Sequence, residues 1–315
     1  MTGHRNGWMS LMNNKVICGD ALTILKTLAD ESVNCIVTSP PYYGLRDYGL
    51  KPIVWGGEDV CEHVWESQIK KGISGGTKSE KVQIKGEDNY QIVPDSSHAF
   101  CSLCGAWRGS LGLEPDFNLY LDHLLMIFAE CKRVLRKDGT LFINIGDSYG
   151  GNNSRGSNGS RGGFGNEREG CFKIGGVPAK SLLGITERLA IRLTDELNLI
   201  RRNTIIWYKP NCIPASCKDR FTVDFEYIYF FTKSGKYAFE QQFEALQPIS
   251  IIRAEYGWHG TKKAHGDSYQ GVKDMDKMGE RFVNPLGRNM RTVWRIPSFS
   301  YQGSHFATYP PALVR

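Results

Sequence analysis

Thr38–Ser39–Pro40–Pro41–Tyr42 places a hydroxyl, two successive prolines and an aromatic ring directly after the apolar run Val33–Val37. Tandem prolines after a strand form a rigid turn, which can present Ser39 and Tyr42 in a fixed relation. A second set of chemically able residues follows. Cys61–Glu62–His63 and Cys101–Ser102–Leu103–Cys104–Gly105 offer four ligands in two short pairs. Each pair can chelate one ion, and Gly105 suits a tight knuckle. Cys61, His63, Cys101 and Cys104 are therefore expected to bind structural Zn²⁺ as a tetrahedral Cys₃His set, with His98 as a rival fourth ligand. The alternative is a loop with unrelated cysteines.

The elements around these residues alternate. Val16–Cys18 reads as a strand stopped at Gly19–Asp20, and Ala21–Leu28 as a helix with Leu22, Leu25 and Leu28 on one face. Val33–Val37 has the near-continuous apolar character of a buried parallel strand. Order lapses over 51–110, where Gly, Ser, Lys and Glu dominate and no core is expected, so the metal would hold the insertion together. Asp116 is a candidate N-cap for a helix carrying Leu121, Leu124, Leu125, Phe128 and Leu135, ended by Lys137–Asp138–Gly139. A strand over Thr140–Ile145 follows, then a Gly/Asn/Ser/Arg-rich loop at 150–170. A helix from about Pro178 carries Leu182, Ile185, Leu189, Leu193 and Leu197, and strands are expected at Thr204–Tyr208 and Phe225–Phe231. The pattern predicts an α/β domain with a mostly parallel sheet, ligands lying at the carboxyl ends of its strands, where Asp20, Ser39 and Asp147 sit.

The whole chain sets broad limits. Its 315 residues suit one large domain with insertions or two small ones, and its net charge of +6 is compatible with a polyanionic partner. No apolar run approaches the roughly 18 residues a membrane span needs, and Met1–Met12 lacks a secretory apolar core, so a cytoplasmic protein is expected. That compartment argues against reading the nine cysteines as a disulfide framework.

The TSPPY stretch resembles the active-site motif of the permuted, beta class of DNA amino-methyltransferases, which lies near the N-terminus in that class. LRKDGTLFINIGD (Leu135–Asp147), IIWYKPN (Ile205–Asn211) and DRFTVDFEYIYFFTKS (Asp219–Ser234) resemble later segments of the same family, in the same order. Relatives often carry His–Glu where this chain has Phe225–Glu226. The resemblance implies a Rossmann-like, circularly permuted sheet with a zinc-knuckle insertion, using S-adenosylmethionine. It implies methyl transfer to the exocyclic amino group of a base flipped from double-stranded DNA. That nitrogen is a poor nucleophile, because its lone pair is delocalised into the ring. The Ser39 hydroxyl and the Pro40 carbonyl would accept its hydrogens, Pro41 would keep the carbonyl aimed, and Tyr42 would stack on the base. Ser at the first motif position resembles the cytosine-N4 enzymes, and Asp there the adenine-N6 enzymes. Methylation at carbon 5 needs a Pro–Cys nucleophile, and the chain contains none.

By the same resemblance, Asp20 would meet the adenine end of the cofactor. Thr38, Ser39 and Pro40, with His305, Phe306, Tyr309 and Pro310, would border its methionine end. The family's glycine-rich cofactor loop is not found in the sequence, so a truncated reading frame or one half of a split enzyme is expected. The domains then run 1–50 (catalytic, with TSPPY), 51–110 (zinc-binding insertion), 111–240 (catalytic remainder), 241–300 (target recognition) and 301–315 (start of the cofactor-binding half). The target-recognition residues would be Arg253, Lys262, Lys263, Arg281, Arg288, Arg291 and Arg295. A restriction–modification system or a phage is the implied setting, with a cognate endonuclease as functional partner and a dimer possible. The rival readings are a non-catalytic, zinc-stabilised DNA-binding remnant, and a protein-amide methyltransferase, which would carry Asn–Pro–Pro–Tyr and not be permuted.

Overall fold

The computed structural model describes residues 15–65, 69–71, 90–92, 99–150, 176–178, 180–249, 251, 284, 286–299 and 308–314. His98, Cys171, Arg253, Lys262, Lys263, Arg281, His305 and Phe306 lie outside them, as does nearly all of the glycine-rich loop at 150–170.

In chain order the elements are α1 (Ala21–Thr27), β1 (Val33–Thr38), β2 (Ile53–Trp55), β3 (Ile69–Lys71), β4 (Tyr90–Ile92), β5 (Ala99–Phe100), β6 (Trp107–Gly109), α2 (Phe117–Val134), β7 (Leu135–Ile145), α3 (Ile185–Asp195), β8 (Ile200–Tyr208), β9 (Phe225–Thr232), β10 (Phe243–Glu244), β11 (Arg288–Asn289) and β12 (Val293–Arg295). The main sheet has the order β1-β7-β9-β8-β12. β1 runs parallel to β7 and β8 to β12, whereas β9 is antiparallel to both β7 and β8. The expected mostly parallel sheet is thus a mixed one. The reversal has a consequence for chemistry: the first residues of β9 lie beside the last residues of β7 and β8.

Side-chain alternation along the strands builds two cores. From β7 and β9, Leu141, Ile143, Ile145, Tyr229 and Phe231 point toward α2 and α3, where they meet Leu121, Leu124, Phe128, Leu189 and Leu193. Ile228 and Phe230 point the other way and pack with Ile205, Trp207, Phe142, Trp294 and Leu313. Phe142 and Phe230 stack at 4.6 Å. The even-numbered positions of β7 and β9 that continue this second face toward the carboxyl end are Asn144 and Glu226. Their polarity marks where core gives way to site.

Several expectations change in detail. Asp116 caps α2 as predicted, its carboxylate accepting from Asn118 N at 2.7 Å. The helix ends at Val134, however, and Leu135 already opens β7. Lys137–Asp138–Gly139 form a bulge there, since Val33 pairs with Leu135 and Cys35 with Thr140. Val16–Cys18 forms no strand, and Val16 and Ile17 are exposed. β1 is half-exposed because no described strand covers its other edge. The helix expected from Pro178 begins at Ile185. Leu182 instead bridges to Tyr149, and the Asp147 carboxylate accepts from the Gly184 and Ile185 amides at 2.9 and 3.0 Å, capping α3 from outside.

The insertion also has a core, contrary to expectation. β2, β6 and β5 form a small antiparallel sheet. Trp55 and Trp107 from it are buried with Leu22 of α1. Their rings stack on the buried His123 of α2, with centroids at 4.6 and 5.3 Å. The two indoles stand 52 positions apart, each in a short apolar run within a stretch that is polar on average, so periodicity does not pair them. Among the described residues no helix is long and apolar enough to cross a membrane.

Candidate active site and metal centre

The rigid turn after β1 is gripped from three sides. Pro40 is buried while Ser39 is exposed at the strand's carboxyl end. The Pro41 carbonyl accepts from the Tyr120 hydroxyl at 2.8 Å, and Gly44 N donates to Gly112 O at 2.8 Å. Gly112, at φ +90°, stands against the Pro41 and Tyr42 carbonyls. Its amide donates to Glu114 Oε2 at 2.7 Å, and Glu114 Oε1 pairs with His123 Nδ1 at 2.9 Å. The Trp–His–Trp stack of the insertion is therefore connected to the catalytic turn through one buried carboxylate.

Tyr42 is held by its ring and by its hydroxyl. The ring lies so close to Gly146 that a Cβ there would stand 2.7 Å from it. The hydroxyl donates to Glu226 Oε2 at 2.7 Å and lies 3.1 Å from Asn144 Oδ1. Asn144 Nδ2 donates to Glu226 Oε2 at 3.0 Å and to Tyr227 O at 3.1 Å, and Lys209 pairs with Glu226 Oε1. Burial, then the charge of Glu226 and its hydrogen bond, push the Tyr42 hydroxyl far above the usual phenol range, so it stays protonated. Ser39 lies beside the hydroxyls of both Tyr42 and Tyr309. Tyr309 is itself pushed up to about 12, chiefly by burial, and its hydroxyl makes no well-formed hydrogen bond.

The predicted residues Ser39, Pro40, Pro41 and Tyr42 thus form one turn, with Tyr309 brought beside it and Pro310 buried. Asp20 stands elsewhere, as the N-cap of α1, with Oδ1 accepting from Thr23 N and Oγ1 at 2.9 Å each. Glu226, Asn144 and Lys209 are the residues that the sequence reading undervalued. Their signal was present: each is a polar residue in or directly after a run that is apolar or aromatic, Leu141–Ile145 for Asn144, Ile205–Tyr208 for Lys209 and Phe225–Phe231 for Glu226.

Glu226→Gln is expected to lower kcat about tenfold or more, since it weakens a charge-assisted hydrogen bond of roughly 1.5–3 kcal/mol and leaves Lys209 without its ion pair. Single-turnover rates, with substrate affinity measured in parallel, check this. The affinity should stay within about twofold, because Glu226 acts through Tyr42.

The second cluster is the candidate metal set. One ligand atom each from Cys61, His63, Cys101 and Cys104 lies within 4.8 Å of the others. Cys61 and Cys101 sulfurs are 3.9 Å apart, and Cys104 Sγ is 3.4 Å from His63 Nδ1. These spacings suit the edges of a tetrahedron around one Zn²⁺. Gly105 N closes the knuckle on Cys101 O at 2.9 Å, and a Cβ on Gly57 would stand 2.8 Å from Cys104 Sγ. Against the effect of burial, the backbone amides of Cys104, Leu103 and Val64 and the His63 ring hold the Cys101 thiol down at about 6. Burial and the two neighbouring thiols push Cys61 up to about 12. A divalent cation would remove that conflict by taking all three sulfurs as thiolates.

The target-recognition candidates divide. Arg288 and Arg291 both form ion pairs with Glu244, at 2.8 and 2.6 Å, while Arg295 is exposed on β12.

Comparison with known proteins gives concordant findings. Residues 33–315 match the family described as DNA methylase, N6/N4 type. The chain is 30% identical over 320 residues to the type II methyltransferase M.Cfr9I of Citrobacter freundii, covering 99% of this chain and 74% of that protein. It is 32% identical over 311 residues to the type II methyltransferase M.SmaI of Serratia marcescens, covering 97% of this chain and 74% of that protein. Among solved structures, the PvuII DNA methyltransferase (cytosine-N4-specific) is similar with a TM-score of 0.36 and 17% identity, over 74% of this chain and 51% of that one. A score that low fixes neither fold nor target base.

Proposed function

The chain belongs to the DNA methylase family of N6/N4 methyltransferases, and on that premise we propose that it methylates the exocyclic amino group of a base flipped out of double-stranded DNA, cytosine N4 in preference to adenine N6. The observation that carries this reading is the gripped Ser39–Tyr42 turn at the carboxyl end of β1. Ser39 is exposed there, at the carboxyl end of a strand whose other edge no described strand covers. S-adenosylmethionine would supply the methyl group as an electrophile. Thr38, Ser39, Pro40, Tyr309 and Pro310 are the described residues proposed to border it, with Asp20 toward the adenine end.

The work of the protein is positional. The Ser39 hydroxyl and Pro40 carbonyl accept the two amino hydrogens, drawing the nitrogen toward a tetrahedral geometry in which its lone pair is available. The prolines and the Tyr120 bond keep those acceptors from reorganising. Tyr42, its hydroxyl tied to Glu226 and Asn144, offers a ring of fixed plane for the base to stack on. Serine rather than aspartate at position 39 supports cytosine as the substrate. We further propose that the family's permuted order applies. The place of the TSPPY turn, after β1 and ahead of the segments at 135–147, 205–211 and 219–234, supports it. The domain limits 1–50, 51–110, 111–240, 241–300 and 301–315 belong to the same proposal, as do structural Zn²⁺ on Cys61, His63, Cys101 and Cys104 and a cognate endonuclease as functional partner. A non-catalytic remnant is not favoured, because the Ser39–Tyr42 motif is intact and its turn is anchored through Tyr120, Gly112 and Glu226.

The test is transfer of tritium from labelled S-adenosylmethionine to plasmid DNA by the whole protein. Label in acid-insoluble DNA is expected. Binding of DNA without transfer would favour the remnant instead.

A further inference from the structure

We propose that the loop between β8 and β9, residues 209–224, contacts the DNA duplex, and that Phe221 is the wedge that enters the stack where the flipped base has left. The inference rests on the methyltransferase reading and adds a part to it that neither the motifs nor the basic region suggested.

Three observations converge on this loop. The first is place. β8 ends and β9 begins at the edge of the sheet that carries Ser39, because β9 is antiparallel to its neighbours. The loop's neck is closed by Lys209 N donating to Asp224 O at 2.7 Å, next to the Lys209–Glu226–Tyr42 chain. The loop therefore lies at the same end of the sheet as Ser39.

The second is support. Asn211 is clamped to Ser298 by bonds of 2.8, 3.0 and 3.1 Å. Ala215 N donates to Thr222 Oγ1 at 3.1 Å, which ties the two arms of the loop together. The Arg220 guanidinium lies 3.7 Å from the centre of the Tyr149 ring, anchoring the tip to the segment after β7. A loop held in this way can push.

The third is display. Phe221 is 95% exposed and Ile213 91% exposed. A single exposed apolar side chain needs no explanation. Phe221, in the part of the loop closed off by the Ala215–Thr222 bond and beside Lys218 and Arg220, sets an apolar ring in a cationic setting, with Ile213 exposed on the arm that leads to it. Of the loop's two acidic residues, Asp219 is already paired with Lys180 at 3.2 Å and Asp224 stands at the neck, away from Phe221. Cations that hold phosphates around an apolar side chain that unstacks a base step are the combination a duplex-opening wedge requires. A partner protein would be served by the apolar tip alone, so the charge favours DNA.

The experiment uses the whole protein, after its target site has been located by sequencing methylated plasmid DNA. Two synthetic duplexes carry that site, one fully paired and one with an abasic position opposite the target base, which lowers the cost of flipping. Phe221→Ala is expected to slow methyl transfer about tenfold or more on the paired duplex and about threefold or less on the abasic one. Phe221→Leu should restore most of the paired rate, since a leucine also wedges. Equal rates for Phe221→Ala and the unaltered protein on the paired duplex would overturn the proposal. So would an equal loss on both duplexes, which marks damage to the site itself, or a shift from dimer to monomer in sedimentation, which assigns the tip to a second copy. If the unaltered protein methylates no DNA at all, the methyltransferase reading fails and the wedge falls with it.

Discussion

Ser39→Ala should lower the rate of methyl transfer about 10²- to 10³-fold, the usual cost of removing one preorganised group from a site of developing charge. The loss should fall on kcat, with DNA affinity within about twofold and thermal stability unchanged. Ser39 is exposed and anchors nothing in the core, so its removal leaves no cavity. Its neighbours stay in place without it, because Pro41 is bonded to Tyr120 and Tyr42 to Glu226 and Asn144. The hydroxyl lies beside those of Tyr42 and Tyr309, neither of which ionises near neutral pH. Ser39 therefore faces neutral groups, and its work is to accept a hydrogen from the amino nitrogen as that nitrogen gains positive charge. Quenched-flow transfer rates together with a binding titration check the prediction. A loss confined to affinity would place Ser39 among the DNA-holding residues.

Metal removal is the second large effect. Purified protein is expected to carry one Zn²⁺ per chain, and stripping it with a strong chelator should lower the melting temperature by about 10 °C or more, which corresponds to several kcal/mol in a chain of this size. The reason is local. Without the ion, three sulfurs and an imidazole remain packed within 4.8 Å. That arrangement leaves the Cys61 thiol pressed against two neighbouring sulfurs. Its failure would spread inward, since Cys101 N is bonded to Ala106 O at 2.7 Å and the next residue, Trp107, stacks over His123. Tryptophan emission should shift to the red as Trp55 and Trp107 become hydrated. Methyl transfer should fall as well, through the Glu114–Gly112 link to the catalytic turn. Metal analysis, a melting curve and an emission spectrum cover these outcomes. Protein that contains no metal, with Cys101→Ser as stable as the unaltered chain, would contradict the assignment.

Much of this arrangement was legible in the residue pattern, for identifiable reasons. The Asp116 cap, the apolar face of α2 and the strands β7, β8 and β9 follow from local periodicity. The clustering of Cys61, His63, Cys101 and Cys104 follows from short Cys and His spacings. What was illegible depends on contacts between distant residues. The direction of β9 is not encoded in its own composition, and a buried aromatic strand looks the same either way round. The bond from Tyr42 to Glu226 spans 184 positions. Trp55 and Trp107 lie in a stretch whose average is polar, so a window average hides them even though they form the insertion's core. The start of α3 depends on Asp147, which caps it from 37 residues away.

The central claim is amino-group methylation, with cytosine as the base. It is tested most directly by identifying the modified nucleoside: DNA incubated with the whole protein and S-adenosylmethionine is digested and the nucleosides are separated and weighed by mass spectrometry. The account predicts N4-methyldeoxycytidine. N6-methyldeoxyadenosine would keep the chemistry and contradict the base choice drawn from Ser39, and 5-methyldeoxycytidine would contradict the mechanism itself.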